Sequence, residues 1–150
     1  MPAFVTFGRI LFAVLFLYSG VSHLLGLAAT ADFIAAKVAI PAPLLPYTTQ
    51  LEGITGMSTP QMLVIAVGSF EVIAGLMIAF NLATRFFAIL LILFVAATTF
   101  YFHDFWNQSP PENAKSVVDA LKNLSIIGAL FVIAGSSRKS RTSESAYGDV

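Results

Sequence analysis

The sequence predicts an all-α, polytopic membrane protein: a four-helix transmembrane bundle with a short interfacial helix in its first outer loop. Composition is the first observation behind this prediction. The 150 residues are 57% hydrophobic and 11% charged, with a mean hydropathy of +0.85, whereas soluble domains carry about 25% charged residues. The second observation is a set of four apolar stretches, each reaching the roughly 20 residues that cross a bilayer as a helix. Lipid satisfies no backbone hydrogen bonds, so these stretches are expected to be helices.

The predicted spans are residues 4–27, 60–80, 85–105 and 116–135. Together with their loops they make residues 1–135 one membrane domain. The first stretch could also be read as a secretory signal that is cleaved near Ala29-Thr30-Ala31, but its length and the presence of Arg9 favour a span. Residues 136–150 are polar and rich in serine, so they are expected to form a disordered cytoplasmic tail.

Basic residues predict the topology. Five lie on one side of the predicted spans: Arg9, Arg85, Arg138, Lys139 and Arg141. Three lie on the other side: Lys37, Lys115 and Lys122. Because the side richer in Lys and Arg stays in the cytoplasm, both termini are expected there, in a bacterial-type inner (plasma) membrane.

With that topology the connection between the first two spans lies on the outer face. Residues 32–40 can form a short helix on the membrane interface, ended by Pro41, Pro43 and Pro46. We interpret the rest of this connection as a linker that folds back over the mouth of the bundle. Near the second outer loop, an interfacial aromatic belt is predicted from Tyr101, Phe102, Phe105 and Trp106.

Several classes of function are excluded or disfavoured by composition. Net charge is zero and the basic residues form no stripe, so nucleic acid is not an expected partner. The chain has no cysteine, which excludes thiolate, disulfide and iron–sulfur chemistry by its own residues. No metal site is predicted. His23 and His103 could in principle ligate one haem, but no Cys-x-x-Cys-His motif accompanies them.

Glu71 is the most informative residue, because it lies alone among apolar residues 62–80. A carboxylate at bilayer depth is costly, so it is expected to face the protein interior with a partner or a function. A rise of 1.5 Å per residue places it about 16 Å below Pro60, near the midplane. Gly68, Gly75 and Ala79 share its helical face, and small residues let a neighbouring helix pack closely there.

Depth and helical phase together predict a polar vestibule in the outer half of the bundle. Its candidate binding residues are Glu71, His103, His23, Lys122 and Asn123. Two alternatives stay open for Glu71: a role in proton or ligand binding, or a structural ion pair with Arg9, Lys122 or a histidine. For Lys122 the alternative is a side chain that snorkels to the interface.

Several segments resemble the DoxX family of membrane proteins. They are residues 9–20 with His23-Leu24, 40–43 (Ile-Pro-Ala-Pro), 71–78, 83–85, 97–106 and 122–130. Their order and spacing extend the resemblance over residues 7–134. It implies a four-helix membrane bundle and a link to quinone-linked oxidoreductases, including a thiosulfate to quinone system and membrane complexes of oxidative-stress defence.

The family pattern falls on Arg9, Glu71, Arg85, His103, Lys122 and Asn123. Two departures from it are a longer segment at residues 44–60, which could cap the outer mouth, and Asn81 where glycine is common. Because the chain has no cysteine, a thiol redox role is not expected.

We therefore expect a small membrane subunit of a redox or respiratory (quinone-linked oxidoreductase) assembly that holds a quinone headgroup in the outer vestibule. No catalytic residue is assigned, and quinone is the one cofactor suggested. The expected partners are the lipid bilayer and a larger membrane protein complex or a second copy of the chain. The alternative is a non-catalytic accessory or assembly protein. A transporter ranks last, because no internal repeat is visible.

Overall fold

The structure, a computed structural model, describes residues 2–136 and confirms the predicted fold class. In this part of the chain there are six α-helices and no β-strand. The helices are α1 (Pro2–Leu25), α2 (Leu27–Lys37), α3 (Leu45–Thr55), α4 (Thr59–Ala79), α5 (Thr84–Phe102) and α6 (Glu112–Ser136). Short 3₁₀ turns lie at Ala42–Leu44 and Phe105–Asn107. The predicted tail lies, apart from Ser136, outside the described residues.

Four helices are long and apolar enough to cross a membrane. The spanning segments are Ala3–Leu25, Thr59–Ala79, Thr84–Asn107 and Asn113–Ser136. Many of their large apolar side chains are exposed, such as Phe4 at 81% and Val132 at 72%. Lipid is the environment that such side chains suit. The chain is a multi-pass membrane protein.

The chain divides into two compact units. The first, Phe12–Gly75, is called here the α1–α4 unit. The second contains the described residues of Met1–Leu11 and Leu76–Val150 and is called the α5–α6 unit. Each unit has its own buried residues and hydrogen bonds.

The first loop holds two helices where one was predicted. The helix expected at residues 32–40 corresponds to α2, which begins earlier, at Leu27, and ends at Lys37. The next residue, Val38, has an extended backbone. Residues 44–60, predicted as part of a linker, contain α3. Pro46 is accepted in its first turn, where a backbone N–H has no helical partner, and Gly56 ends it with φ 69°.

A carboxylate joins α3 to the start of α4. Glu52 Oε1 accepts hydrogen bonds from the Thr59 hydroxyl at 2.6 Å and from the Thr59 backbone N–H at 2.7 Å. These bonds favour the charged carboxylate and lower the pKa of Glu52. The bonds therefore fix the entry of the chain into its second span.

Small residues let α1 and α4 approach closely within the α1–α4 unit. A Cβ atom added to Gly20 would lie 2.6 Å from the backbone oxygen of Gly68, and one added to Gly68 would lie 2.8 Å from Leu24. At Gly75 an added Cβ would lie 3.1 Å from Leu17. This confirms that the glycine-bearing face of α4 packs against a helix.

In the α5–α6 unit, α5 packs against α6. Its fully buried side chains include Leu91 of α5 and Leu130 of α6. The turn that precedes α5 places Asn81 and Ala83 in the left-handed region, at φ 59° and 47°. Asparagine tolerates that region better than most other residues with a Cβ, so it suits the left-handed position in this turn.

Candidate functional site

The Glu71 carboxylate is buried and hydrogen-bonded at both oxygens. Its residue is 4% exposed. Oε1 accepts a hydrogen bond from Ser19 Oγ at 2.9 Å, and Oε2 lies 2.8 Å from His23 Nδ1. All three residues belong to the α1–α4 unit and to spanning helices. We call them the Glu71 cluster.

Helical spacing explains how the cluster forms. Ser19 and His23 are four residues apart on α1, so their side chains lie on the same face, one turn from each other. Gly20 lies between them in sequence and has no side chain, so the Cβ of Glu71 can approach its backbone. The close approach at Gly20 therefore brings the carboxylate within reach of both donors.

The cluster orients the histidine ring. Because Nδ1 faces Glu71, Nε2 is the ring atom left for another partner. The His23 side chain is 35% exposed, whereas that of Glu71 is 5% exposed. The imidazole is therefore the accessible end of a hydrogen-bonded chain whose inner end is a buried carboxylate.

The same geometry argues against nucleophilic catalysis by Ser19. In a catalytic triad the serine hydroxyl bonds to the imidazole, which removes its proton. Here the Ser19 hydroxyl donates to Glu71, and it is Glu71 that contacts His23. Ser19 therefore positions and stabilises the carboxylate.

The other predicted site residues lie in the α5–α6 unit. Asn123 Nδ2 donates to Thr99 Oγ1 at 2.9 Å, and Lys122 Nζ lies 3.0 Å from Asp119 Oδ1. His103 is the residue that ends α5, and its backbone N–H donates to the Thr99 carbonyl oxygen. Their grouping with His23 and Glu71 in one vestibule stays a prediction.

Arg9, the predicted ionic partner of Glu71, also lies in the α5–α6 unit. Its Nη1 donates to Asn81 Oδ1. Glu71, in the α1–α4 unit, is bonded by Ser19 and His23. The ion pair between Arg9 and Glu71 stays a prediction. Of the alternatives left open for Glu71, the structure provides the histidine partner.

An apolar groove of ≈ 310 Å³ lies between α5 and α6, and the sequence did not reveal it. It is lined by Ala96, Thr99, Phe105, Val117, Ala120, Leu121, Leu124 and Ile127. Thr99 is its one polar lining residue. Among residues 2–136, no group of three His, Cys, Asp or Glu residues could hold a metal ion.

The DoxX family model matches residues 4–104, which is more than half of the 150-residue chain. The match includes Ser19, His23 and Glu71 and therefore the whole Glu71 cluster. No curated protein and no solved structure matches the chain significantly.

Proposed function

The chain belongs to the DoxX family of membrane proteins, and from that premise we propose that it is a small membrane subunit of a quinone-linked redox assembly. The observation that carries the proposal is the buried Glu71 carboxylate, bonded to a half-exposed histidine within the spanning helices. In this proposal His23 contacts the quinone headgroup and exchanges protons with it, while Glu71 holds the ring.

The Glu71–His23 pair keeps a hydrogen on His23 Nε2 whenever the pair is electrically neutral. Either a protonated Glu71 lies beside a neutral imidazole, or a carboxylate lies beside an imidazolium. We place one of the pair's two protons between Glu71 Oε2 and His23 Nδ1, which lie 2.8 Å apart, so the other proton stays on Nε2 in both forms. A net charge at bilayer depth is costly, so the neutral pair is favoured. His23 Nε2 is therefore a hydrogen-bond donor toward a ligand.

The same pair can release and recover one proton. Loss of the Nε2 proton leaves a neutral imidazole whose Nδ1–H donates to the Glu71 carboxylate. The Ser19 hydroxyl donates to that carboxylate at 2.9 Å, which stabilises its negative charge. A group that acts as both general acid and general base must be stable with and without its proton. In this cluster Glu71 is the partner of the protonated ring, and Ser19 stabilises the carboxylate after the proton has left.

The donor set fits a quinone. Its headgroup presents carbonyl oxygens that accept hydrogen bonds, and its reduction to a quinol consumes protons together with electrons. His23 Nε2 would supply the hydrogen bond and one of the two protons that a quinol takes up, and the partner complex would supply the other. The electrons would come from a partner subunit, because the 150 residues include no cysteine for thiol or iron–sulfur chemistry. In this proposal the partner subunit supplies the electrons, and His23 of this chain supplies a proton.

The remaining predicted residues extend the proposal. We assign His103, Lys122 and Asn123 to the outer side of the membrane, with both termini in the cytoplasm of a bacterial-type inner membrane. The excess of Lys and Arg on the opposite loops supports this orientation. Protease treatment of intact cells that carry a tag at each terminus tests this orientation. We expect both tags to be protected, and cleavage of either tag from outside would contradict the orientation.

Binding of a quinone analogue to the purified protein tests the function. We expect His23→Ala and Glu71→Gln to weaken binding by roughly tenfold or more, because each removes a hydrogen bond that involves a charged group. Asp32→Asn is the matched control, since it removes an exposed carboxylate from α2. His103→Ala reports whether the second histidine belongs to the same site.

Equal binding by the wild type, His23→Ala and Glu71→Gln would contradict the proposal. The alternative, a non-catalytic accessory protein, predicts no quinone binding by any variant and co-purification with a larger complex. Because both functions predict co-purification with a larger complex, quinone binding by the wild type is the result that separates them.

A further inference from the structure

Arg9 is a charged side chain inside the first spanning segment, Ala3–Leu25. Among the residues that the structure describes, the one hydrogen-bond partner of its guanidinium is the neutral side chain of Asn81. Its Nε atom is buried and has no partner in the described part of the chain. A guanidinium in a membrane segment is costly unless an anion compensates it. The described residues therefore satisfy the hydrogen-bonding groups of Arg9 only in part.

The Asn81 side chain that contacts Arg9 also carries hydrogen-bond donors. Asn81 Oδ1 accepts from Arg9 Nη1 and also from Thr84 Oγ1, which lies 3.1 Å away. The acceptor of the amide is thus used twice, which leaves Asn81 Nδ2 to donate. Arg85 is exposed in the first turn of α5 and adds a second positive charge at this end of the unit. A cluster of donors and cations suits an oxyanion.

Two acidic side chains that the structure describes in this unit, those of Asp104 and Asp119, lie at the other end of α5. The nineteen residues of Thr84–Phe102 rise about 28 Å, and Asp104 follows that helix. Asp119 is paired with Lys122, one turn from the Asn123 side chain that bonds Thr99 near the end of α5. No ion pair forms across such a separation, because the charged atoms of an ion pair lie within about 4 Å of each other. None of these described carboxylates can neutralise Arg9.

The position of the turn that contains Asn81 indicates which anion can neutralise Arg9. Asn81 lies between α4 and α5, and since both helices span the membrane, their connection lies at a bilayer face. Phospholipid phosphates lie at that face. A guanidinium binds phosphate oxygens through paired N–H groups, which gives both charge and geometry. We propose that Arg9 and Asn81, with Arg85 beside them, form a binding site for the phosphate of a membrane phospholipid.

Lipid binding to the detergent-solubilised full chain tests the site. The probes are short-chain phosphatidylglycerol, diacylglycerol with the same acyl chains, and inorganic phosphate, followed by native mass spectrometry and by the shift in Tm. We expect phosphatidylglycerol to bind and to raise Tm, and diacylglycerol to do neither. Arg9→Gln should weaken phosphatidylglycerol binding roughly ten- to hundredfold, because it removes charge-assisted hydrogen bonds.

Two further variants make the test specific. Lys115→Gln removes a cation from the first turn of α6 and should leave phosphatidylglycerol binding unchanged. Arg9→Lys keeps the charge but loses the planar fork, so its binding should fall between those of the wild type and Arg9→Gln.

Three results would overturn the proposal. Equal phosphatidylglycerol binding by the wild type and Arg9→Gln would show that Arg9 does not hold the phosphate. Stabilisation by inorganic phosphate equal to that by the lipid would assign the site to a free anion. If replacing both Glu144 and Asp149 by their amides lowers Tm as much as Arg9→Gln does, Arg9 pairs with the chain's own C-terminal residues.

Discussion

Gly20→Ala should separate α1 from α4 at the Glu71 cluster. The added Cβ would lie 2.6 Å from the backbone oxygen of Gly68, 2.9 Å from Val72 Cγ2 and 3.0 Å from the Cβ of Glu71. A comfortable carbon–oxygen contact is about 3.3 Å, so the helices must part by about 0.7 Å. The opposing atom is backbone, and a rotamer change cannot relieve the contact.

That displacement is large enough to break the cluster. A shift of about 0.7 Å would lengthen the Ser19–Glu71 bond from 2.9 Å to about 3.6 Å, which is beyond hydrogen-bond range. Over-packing costs about 1–3 kcal/mol, and losing the hydrogen bond adds about 1 kcal/mol. For a chain of this length, a cost of about 2–4 kcal/mol lowers Tm by roughly 5–15 °C.

Thermal unfolding of the purified protein in one detergent measures this effect, and quinone-analogue binding should weaken in parallel. Gly8→Ala is the matched control, because it lies on the same helix and an added Cβ there meets no described atom within 4 Å. Alanine is also a better helix former, so the control should be neutral or slightly stabilising. Equal stability of Gly20→Ala and Gly8→Ala would contradict the claim that α1 and α4 are in close contact at Gly20.

Three further predictions follow from local contacts. Leu130→Ala should cost about 2–5 kcal/mol in unfolding experiments, because the side chain is fully buried. Glu52→Gln should destabilise the protein at neutral pH; since bonds from Thr59 lower the pKa of Glu52, the difference from wild type should vanish as the pH falls through that lowered pKa. A double-mutant cycle of Asn123→Ala with Thr99→Val should give a coupling of about 0.6 kcal/mol, a typical value for hydrogen bonds between spanning helices.

Each of these predictions has a result that contradicts it. Phe131 is 62% exposed, so Phe131→Ala should cost less than Leu130→Ala, and the reverse order would be inconsistent with the packing. A pH-independent difference for Glu52→Gln would mean that the carboxylate does not act through its charge. Additive effects at Asn123 and Thr99 would show that the hydrogen bond contributes nothing.

The sequence predicts the spans well because lipid offers no partners to backbone N–H and C=O groups, so a long apolar segment crosses the bilayer as a helix. It also predicts the small-residue face around Glu71, because that face follows from the period of a helix. Ser19 and His23 are four residues apart and lie on one face of α1 for the same reason. What the pattern could not decide was which of several possible partners Glu71 contacts.

The features that escaped prediction depend on tertiary contacts or on turn chemistry. α3 has little apolar periodicity, yet Pro46 near its start and Gly56 at its end are ordinary helix boundary signals that could have located it. The left-handed Ala83 has no sequence signature. The groove between α5 and α6 follows from how side chains of different size meet across two helices, which periodicity does not specify.

Solid-state nitrogen NMR of histidine-labelled protein in bilayers tests most directly whether the Glu71–His23 pair is the proton-exchanging site. The chain has only two histidines, so His103→Ala leaves the His23 signals alone in the spectrum. We predict that His23 Nε2 carries a hydrogen at neutral pH, that added quinone shifts its resonance, and that Glu71→Gln abolishes this response. An Nε2 without hydrogen, or a resonance that quinone leaves unchanged, would contradict the proposed role of the pair.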